Sequence, residues 1–95
     1  MTELQGKTVL ITGASSGIGE QLAYDLAHAN CHLILVARRE EKLLAIKKKI
    51  EKYVATVSLY SADLRNQEEM DGFLIYIHQL PNGLDIIVSN AGLSI

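Results

Sequence analysis

Short apolar runs recur along the chain, each followed by a longer stretch with a different pattern. The second run is apolar at every position from 33 to 36, which is typical of a parallel strand covered on both faces. The third run mixes apolar and polar residues, so it is predicted to be a shorter strand at a sheet edge. The four predicted strands contain residues 9–11, 32–37, 54–60 and 84–88.

The three stretches between these strands carry apolar residues at helical spacing. The first helix is predicted to begin near Gly17 and to end near Asn30, a residue that tolerates the left-handed conformation found at helix ends. The second spans roughly residues 40–52. The third has Asn66 as its N-cap and Glu69 as the capping-box partner. The predicted inward-facing residues are Ile18, Leu22, Ala23, Leu26 and Ala27, then Leu43, Ile46 and Ile50, then Met70, Phe73, Leu74, Ile77 and Leu80.

Strands and helices therefore alternate as βαβαβαβ. Right-handed crossover connections make such a chain a parallel sheet. The predicted spatial order of the strands is 3-2-1-4, the first half of a doubly wound, Rossmann-type nucleotide-binding fold and the start of its second half. The predicted fold class is α/β, with a doubly wound parallel sheet truncated after strand four.

Composition narrows the classes of function. The 95 residues are 48% hydrophobic with a formal net charge of −2, which indicates a globular protein and no nucleic-acid partner. The basic run at residues 47–49 lies in a predicted helix and is interpreted as its solvated face. No apolar run approaches the length of a bilayer span, and no signal-peptide pattern opens the chain, so a cytoplasmic protein without membrane contact is expected.

Cysteine and histidine residues indicate neither a disulfide nor a metal site. Cys31 is the single cysteine and is predicted to be a buried spectator thiol, which fits a reducing compartment. His28, His32 and His78 lack metal-ligand spacing, so no metal is expected.

The turn after the first strand has the spacing Gly-x-x-x-Gly-x-Gly and leads into the first helix. Strand, glycine-rich turn and helix N-terminus form the layout by which backbone amides cradle a pyrophosphate. Gly13 is predicted to permit the tight turn, Gly17 to admit the ligand close to the backbone, and Gly19 to let the helix lie against the sheet. Ser16 and Ile18 are predicted to face the pyrophosphate. An ordinary glycine-rich turn is the alternative.

The end of the second strand indicates the choice of cofactor. A carboxylate there would accept hydrogen bonds from a ribose 2′-hydroxyl and repel a 2′-phosphate, but this chain has Arg38 and Arg39. A guanidinium grips a phosphate through two parallel hydrogen bonds. The sequence therefore predicts NADP(H) as the preferred cofactor over NAD(H), with Ser15 adding a hydroxyl contact to the phosphate. The alternative is that both arginines are surface charges beside a helix.

Four motifs in this order resemble the short-chain dehydrogenase/reductase family over essentially the whole chain. They are Thr-Gly-x-x-x-Gly-x-Gly from Thr12, the basic pair, Ala-Asp-Leu at residues 62–64, and Ser-Asn-Ala-Gly at residues 89–92. The last departs from the family's Asn-Asn-Ala-Gly by a serine in the first place. The resemblance implies that residues 1–95 are the N-terminal part of a single NAD(P)-binding Rossmann domain.

The resemblance also implies roles for single residues. Asp63 would accept a hydrogen bond from the adenine amino group, while the backbone amide of Leu64 would bind a ring nitrogen. From the residues alone, Asp63 serves equally well as a turn residue that holds its own backbone. Asn90 would tie strand four to the turn after strand one, and the backbone near Ala91 and Gly92 would line the ribose.

The family's catalytic Ser and Tyr-x-x-x-Lys pair have no counterpart here, since no tyrosine is followed four residues later by lysine. The resemblance therefore implies the cofactor-binding portion of an NADP(H)-dependent oxidoreductase that transfers hydride on a carbonyl/alcohol pair. These residues alone are expected to be inactive, with the small-molecule substrate bound by a C-terminal part and a homo-oligomer formed at full length. The alternatives are a stand-alone dinucleotide-binding module that docks on a partner through the open strand-four edge, and a truncated, non-functional product.

Overall fold

The structure is a computed structural model that describes residues 2–15, 17–53 and 56–90. Its strands are β1 (Thr8–Thr12), β2 (His32–Ala37), β3 (Thr56–Ser61) and β4 (Ile86–Val88). Its α-helices are α1 (Gly17–Leu26), α2 (Glu40–Ile50) and α3 (Gln67–His78), and short 3₁₀ turns cover Thr2–Leu4 and Ala27–Ala29. The strands form one parallel sheet in the order β3-β2-β1-β4, which confirms the predicted fold class and strand order.

The helices cover both faces of the sheet and divide its apolar residues into two layers. On one face, α1 and α2 pack on side chains that include Val9, Ile11, Leu33, Leu35 and Val57. On the other face, α3 packs through Phe73 on Leu10, Ile34 and Val36. Successive residues of β1 and β2 therefore enter different layers, and both layers are apolar. This explains why the two central strands are apolar at almost every position.

The observed element boundaries follow local signals. After α1 and its 3₁₀ extension, Asn30 has a φ of 54°, which confirms the left-handed conformation predicted for this residue. α2 ends at Ile50, earlier than predicted, and the chain turns over residues 51–53. The predicted start of strand three, Val54, lies outside the described residues. β3 is an edge strand as predicted, but its six residues make it as long as β2.

Two apolar residues that were predicted to face the core are exposed. Ile18 is 69% exposed because it lies in the first turn of α1, beyond the end of β1, where no strand lies beneath it. Leu74 is 48% exposed because it lies beside the buried side of α3, which includes Tyr76 and Ile77 instead. The width of a buried helix face depends on what it packs against, and apolar spacing alone does not show that width.

β4 joins the sheet through a short parallel ladder with β1. Just before this ladder, the Asp85 carboxylate accepts a hydrogen bond from Thr8 N–H at 2.8 Å, and Asp85 N–H donates to the Thr8 carbonyl at 3.0 Å. This two-way contact between Asp85 and Thr8 fixes the register of β4. As a result, the loops that follow β1 and β4 lie side by side at the carboxyl edge of the sheet.

Candidate functional site

The four strands end along one edge of the sheet, and the loops that follow them are joined there by hydrogen bonds. Ala14 N–H, after β1, donates to the Val36 carbonyl at 3.0 Å, and Ala62 N–H, after β3, donates to the Ala37 carbonyl at 2.9 Å. In open parallel sheets, ligands bind beyond this edge, at the point where the strand order reverses. That point lies between β1 and β4 in this sheet.

The turn between β1 and α1 has a backbone that requires glycine at two positions. Gly13 has a φ of 64° and Gly17 a φ of 58°, both in the left-handed region that side chains disfavour. A Cβ atom placed on Gly17 would meet nothing within 4 Å, so the space beside this residue is open. Open space at the first residue of a helix suits the close approach of an anionic ligand. Ser16, predicted to face the same ligand, lies outside the described residues.

Gly19 is buried, and a Cβ atom at this position would collide with the Gly13 carbonyl oxygen. The same Cβ would also lie 2.8 Å from Asn90 Nδ2. The sequence predicted that Gly19 would allow close packing of helix and sheet. The structure shows that the tightest approach is between the helix and the turn, together with the residue that follows β4.

Asn90 ties the loop after β4 to the end of β1, which is the contact that the resemblance implied. Its backbone N–H donates to Thr12 Oγ1 at 2.9 Å, and its side-chain Nδ2 lies 3.4 Å from the Gly13 carbonyl. Thr12 is buried and had no predicted role, although it opens the glycine motif. Its hydroxyl oxygen accepts the hydrogen bond from Asn90 N–H. The signal in the sequence that could have indicated this role was a threonine at the last position of a buried strand. Ala91 and Gly92 lie outside the described residues.

Arg38 and Arg39 follow β2 at the same edge, and both side chains are exposed. Ser61 Oγ donates to the Arg38 carbonyl at 3.0 Å, which holds the backbone of this loop next to the end of β3. Within residues 2–15, 17–53 and 56–90, neither guanidinium donates a hydrogen bond or forms an ion pair. Both guanidinium groups are therefore without a hydrogen-bonded partner among the described residues, and they are available to an anion.

The loop after β3 is held by Asp63. Its Oδ1 atom accepts hydrogen bonds from Arg65 N–H at 3.0 Å and from Arg65 Nε at 3.1 Å, and Arg65 Nη2 lies 3.3 Å from Oδ2. The Arg65 guanidinium, followed by the Arg65 backbone N–H, holds the pKa of Asp63 below its usual 3.8. Asp63 thus makes the turn contact that the residues alone suggested. Sequence reasoning missed Arg65, for which the signal was an arginine two positions after an aspartate.

The start of α3 organises the same loop. Asn66 Oδ1 accepts a hydrogen bond from Glu69 N–H at 3.0 Å, which confirms Asn66 as the N-cap. The predicted capping box between Asn66 and Glu69 is not formed. Asn66 N–H donates to the Asp63 carbonyl and not to the Glu69 carboxylate. Glu69 Oε1 instead accepts Asp63 N–H at 2.9 Å, and so holds the residue that begins the loop.

A shallow groove runs between α1 and α2 next to the glycine turn. Its lining includes Ser15, Glu20, Tyr24, Lys42 and Lys49. Tyr24 Oη donates to Glu20 Oε2 at 2.6 Å, and this hydrogen bond, with burial and the negative charge of Glu20, raises the pKa of Tyr24 to about 12. Tyr24 is therefore a protonated packing residue. The half-buried Ser15 lies at the end of the groove that faces the turn.

Neither a metal-binding cluster nor a membrane-spanning helix occurs within residues 2–15, 17–53 and 56–90. No group of three or more histidine, cysteine, aspartate or glutamate side chains among them lies close enough to hold a metal ion. None of the helices in those ranges has the length and apolar character needed to cross a membrane.

Comparisons with known proteins agree with this geometry. A family model described as short chain dehydrogenase matches residues 7–95. A curated relative from Pinus massoniana, named 11-beta-hydroxysteroid dehydrogenase, is 44% identical over 92 residues, covering 96% of this chain and 26% of the relative. The NADP-dependent 3-hydroxy acid dehydrogenase of Schizosaccharomyces pombe is 38% identical over 97 residues, covering 100% of this chain and 38% of the relative.

Solved structures show the same similarity. L-sorbose reductase from Gluconobacter frateurii, complexed with NADPH and L-sorbose, superposes with a TM-score of 0.83 at 33% identity, covering 95% of this chain and 35% of that protein. The bulky-bulky ketone specific alcohol dehydrogenase from Comamonas testosteroni gives a TM-score of 0.82 at 31% identity, covering 92% of this chain and 36% of that protein. The chain thus spans about a quarter to two fifths of the length of the relatives named here. With its glycine turn, its strand order and this match over residues 7–95, the chain belongs to the short-chain dehydrogenase family.

Proposed function

We propose that the chain is the cofactor-binding portion of an oxidoreductase that prefers NADP(H) to NAD(H). The observation that carries this proposal is the turn between β1 and α1, where Gly17 leaves open space in front of the helix. The first amides of α1 have no intrahelical acceptors, and the helix dipole favours an anion in front of them. A pyrophosphate placed there would be bound by Gly13, Ser16, Gly17 and Ile18, with Gly19 keeping the turn closed.

The preference for NADP(H) rests on the two arginines after β2. Their side chains are exposed and form no ion pair among the described residues. They follow the end of β2, which is hydrogen-bonded to the glycine turn through Ala14 N–H and the Val36 carbonyl. A ribose 2′-phosphate would accept hydrogen bonds from Arg38 and Arg39, and Ser15 would add a hydroxyl donor. The similarity to a reductase complexed with NADPH and to an NADP-dependent dehydrogenase supports this choice.

The other loops at this edge would hold the rest of the adenosine. Asp63 and the backbone of Leu64 would bind adenine, since they lie after β3, next to the loop of the two arginines. Asn90, with Ala91 and Gly92, would line the ribose on the β4 side of the turn. In this proposal Asn90 acts by fixing the Gly13 carbonyl and the end of β4 with respect to each other.

A bound nicotinamide cofactor would supply or accept the hydride, and the glycine turn with the loops after β2, β3 and β4 would hold it. We propose a carbonyl/alcohol pair as the substrate class, bound by a C-terminal part of the protein. The relatives' names, a hydroxysteroid dehydrogenase, a hydroxy acid dehydrogenase and a sugar reductase, agree with a carbonyl/alcohol pair but differ in substrate. A homo-oligomer and a cytoplasmic location remain parts of this proposal.

The test is a fluorescence titration of the protein with NADPH and with NADH. NADPH is expected to bind at least about tenfold more tightly, which is the scale of one additional charge-assisted hydrogen bond. Arg38→Asp is expected to weaken NADPH binding by about tenfold or more and to change NADH binding much less. Lys48→Asp, which makes the same charge change on the exposed side of α2, is the matched control and is expected to leave both affinities nearly unchanged.

Two results would contradict the proposal at different levels. Equal losses for NADPH and NADH in Arg38→Asp would mean that Arg38 does not contact the 2′-phosphate, so the cofactor preference would be wrong. If the unaltered protein bound neither dinucleotide, the assignment of the glycine turn as a pyrophosphate site would be wrong.

A further inference from the structure

The loop from Asp63 to Asn66 has its backbone amides held in a defined pattern. Asp63 N–H donates to Glu69 Oε1, Arg65 N–H donates to Asp63 Oδ1, and Asn66 N–H donates to the Asp63 carbonyl. Leu64 N–H, between them, donates to no acceptor within residues 2–15, 17–53 and 56–90. One backbone donor of this loop is therefore left for a ligand, while its neighbours on both sides are held.

The Asp63 carboxylate is held in the same way. An ionised carboxylate offers about four acceptor positions, two on each oxygen. Oδ1 accepts from both Arg65 N–H and Arg65 Nε, whereas Oδ2 accepts only from Arg65 Nη2, at 3.3 Å. Among the described residues, Oδ2 thus keeps one acceptor position. The Arg65 side chain fixes which oxygen is saturated and which is available.

Two consecutive residues of the loop thus offer an available carboxylate oxygen and an available amide N–H, the two kinds of group that one edge of adenine can bind. Adenine presents an amino donor next to a ring-nitrogen acceptor. Hypoxanthine has a carbonyl oxygen in place of the amino group, and a carboxylate oxygen repels it. The loop after β3 therefore has the polarity to distinguish a 6-amino purine from a 6-oxo purine, provided that the Asp63 carboxylate keeps its orientation.

We propose that Arg65 is a positioning residue for cofactor recognition, and that its ion pair with Asp63 sets the preference for adenine over hypoxanthine dinucleotides. This rests on the proposed function, because it assumes that the cofactor's base lies at this loop. The Arg65 side chain is 75% exposed and that of Asp63 is 31% exposed, so the ion pair lies at the surface of the loop. The positive charge of Arg38 adds to the lowering of the pKa of Asp63, after the larger effect of Arg65.

The test compares NADPH with its hypoxanthine analogue, reduced nicotinamide hypoxanthine dinucleotide phosphate. The quantity measured is the ratio of the two dissociation constants. In the unaltered protein NADPH is expected to bind at least about tenfold more tightly, the scale of a hydrogen bond to a charged acceptor. Arg65→Gln is expected to lower that ratio by about threefold or more, and Arg65→Lys, which keeps the charge but loses the bidentate geometry, to give an intermediate ratio.

The ratio separates positioning from general electrostatics. Both dinucleotides carry the same phosphates, so a loss of positive charge weakens both equally and leaves the ratio unchanged. Lys48→Gln, an exposed residue of α2, is the matched control for the charge and is expected to keep the ratio of the unaltered protein. In an Asp63→Ala background, Arg65→Gln is expected to have no further effect on the ratio, because the carboxylate that Arg65 positions is then absent.

The results that would contradict the proposal concern adenine recognition by the loop and the positioning of Asp63 by Arg65. Equal binding of NADPH and the hypoxanthine analogue by the unaltered protein would show that this loop does not recognise adenine, and an unchanged ratio in Arg65→Gln would show that Arg65 does not position Asp63. If Arg65→Gln did not fold, Arg65→Lys alone would decide between these results. A protein that bound neither dinucleotide would contradict the proposed function itself, which distinguishes that failure from this one.

Discussion

The absence of a Cβ atom at Gly19 determines the shape of the glycine turn. The Gly13 carbonyl and the Asn90 amide nitrogen both approach the point where a Cβ atom of residue 19 would stand. Because Asn90 also reaches the Gly13 carbonyl, one small volume holds the turn after β1, the start of α1 and the loop after β4 together. A methyl group there would force these three parts away from each other.

Gly19→Ala is therefore expected to reduce both stability and cofactor binding. Overpacking at such a buried contact costs about 1–3 kcal/mol of unfolding free energy. The matched control is Gly72→Ala in α3, where the added Cβ would lie 3.4 Å from Tyr60 Oη and alanine favours the helix by about 0.5–1 kcal/mol. Urea unfolding and NADPH titration of both variants measure the difference. Similar midpoints and affinities for the two variants would show that position 19 is not crowded.

At the scale of elements, the start of α3 controls the loop that precedes it. Asn66 caps the helix through Glu69 N–H, and the Glu69 side chain reaches back to Asp63 N–H. The helix and the candidate adenine-binding loop are thus formed by one set of hydrogen bonds. Loss of the cap removes an acceptor for an amide of the first turn and also loosens the residue that holds Asp63.

Asn66→Ala is expected to lower the unfolding free energy by about 1 kcal/mol, the ordinary effect of losing an asparagine N-cap. The matched control is Asn82→Ala in the exposed turn before β4, where the side chain makes no hydrogen bond with any described residue. Chemical denaturation of the two variants gives the comparison. If both lost the same free energy, the Asn66 side chain would contribute nothing as a cap.

At the scale of the whole molecule, the sheet is buried in its centre and more exposed towards β4. β1 is buried at all five positions, whereas in β4 Ile87 is 61% exposed and Ile86 36% exposed. One polar contact also lies between strands: His32 Nε2, in β2, lies 2.8 Å from Ser58 Oγ, in β3. Burial of the imidazole lowers the pKa of His32 from its usual 6.5, since the charged form would lose water there.

Stability is therefore expected to depend on pH through His32. Below pH 6.5 the unfolded chain binds a proton at this histidine before the folded chain does, so the unfolding free energy falls as the pH is lowered. The fall ends once the pH has passed the lowered pKa of the folded state. His32→Gln is expected to remove this component from unfolding curves measured between pH 7.5 and about 5. His78→Gln, at an exposed position, is the control, and a slope unchanged in His32→Gln would contradict the assignment.

Much of the fold could be predicted because the responsible signals are local. The apolar runs, the alternation of strands with helices, and the turn residues Asn30 and Asn66 each act within a few positions of the chain. The strand order then follows from the doubly wound nucleotide-binding fold, which this alternation and the glycine turn indicate. The predicted burial of Ile18 and Leu74 was wrong. Burial of a helix residue depends on where the helix extends past the sheet and on how much of the helix surface the sheet covers.

The sequence by itself determined the strand order, the glycine turn and the set of charged and polar residues at the ends of the strands. Only the tertiary structure showed that Thr12 Oγ1 accepts a hydrogen bond from Asn90 N–H and that the turn itself leaves no room for a side chain at Gly19. It also showed that Arg65 donates two hydrogen bonds to the same oxygen of Asp63. The physical reason is that hydrogen bonds and close contacts depend on distances of a few tenths of an ångström between side chains. The order of residues specifies which strands are neighbours, but the packing of the folded chain sets those distances.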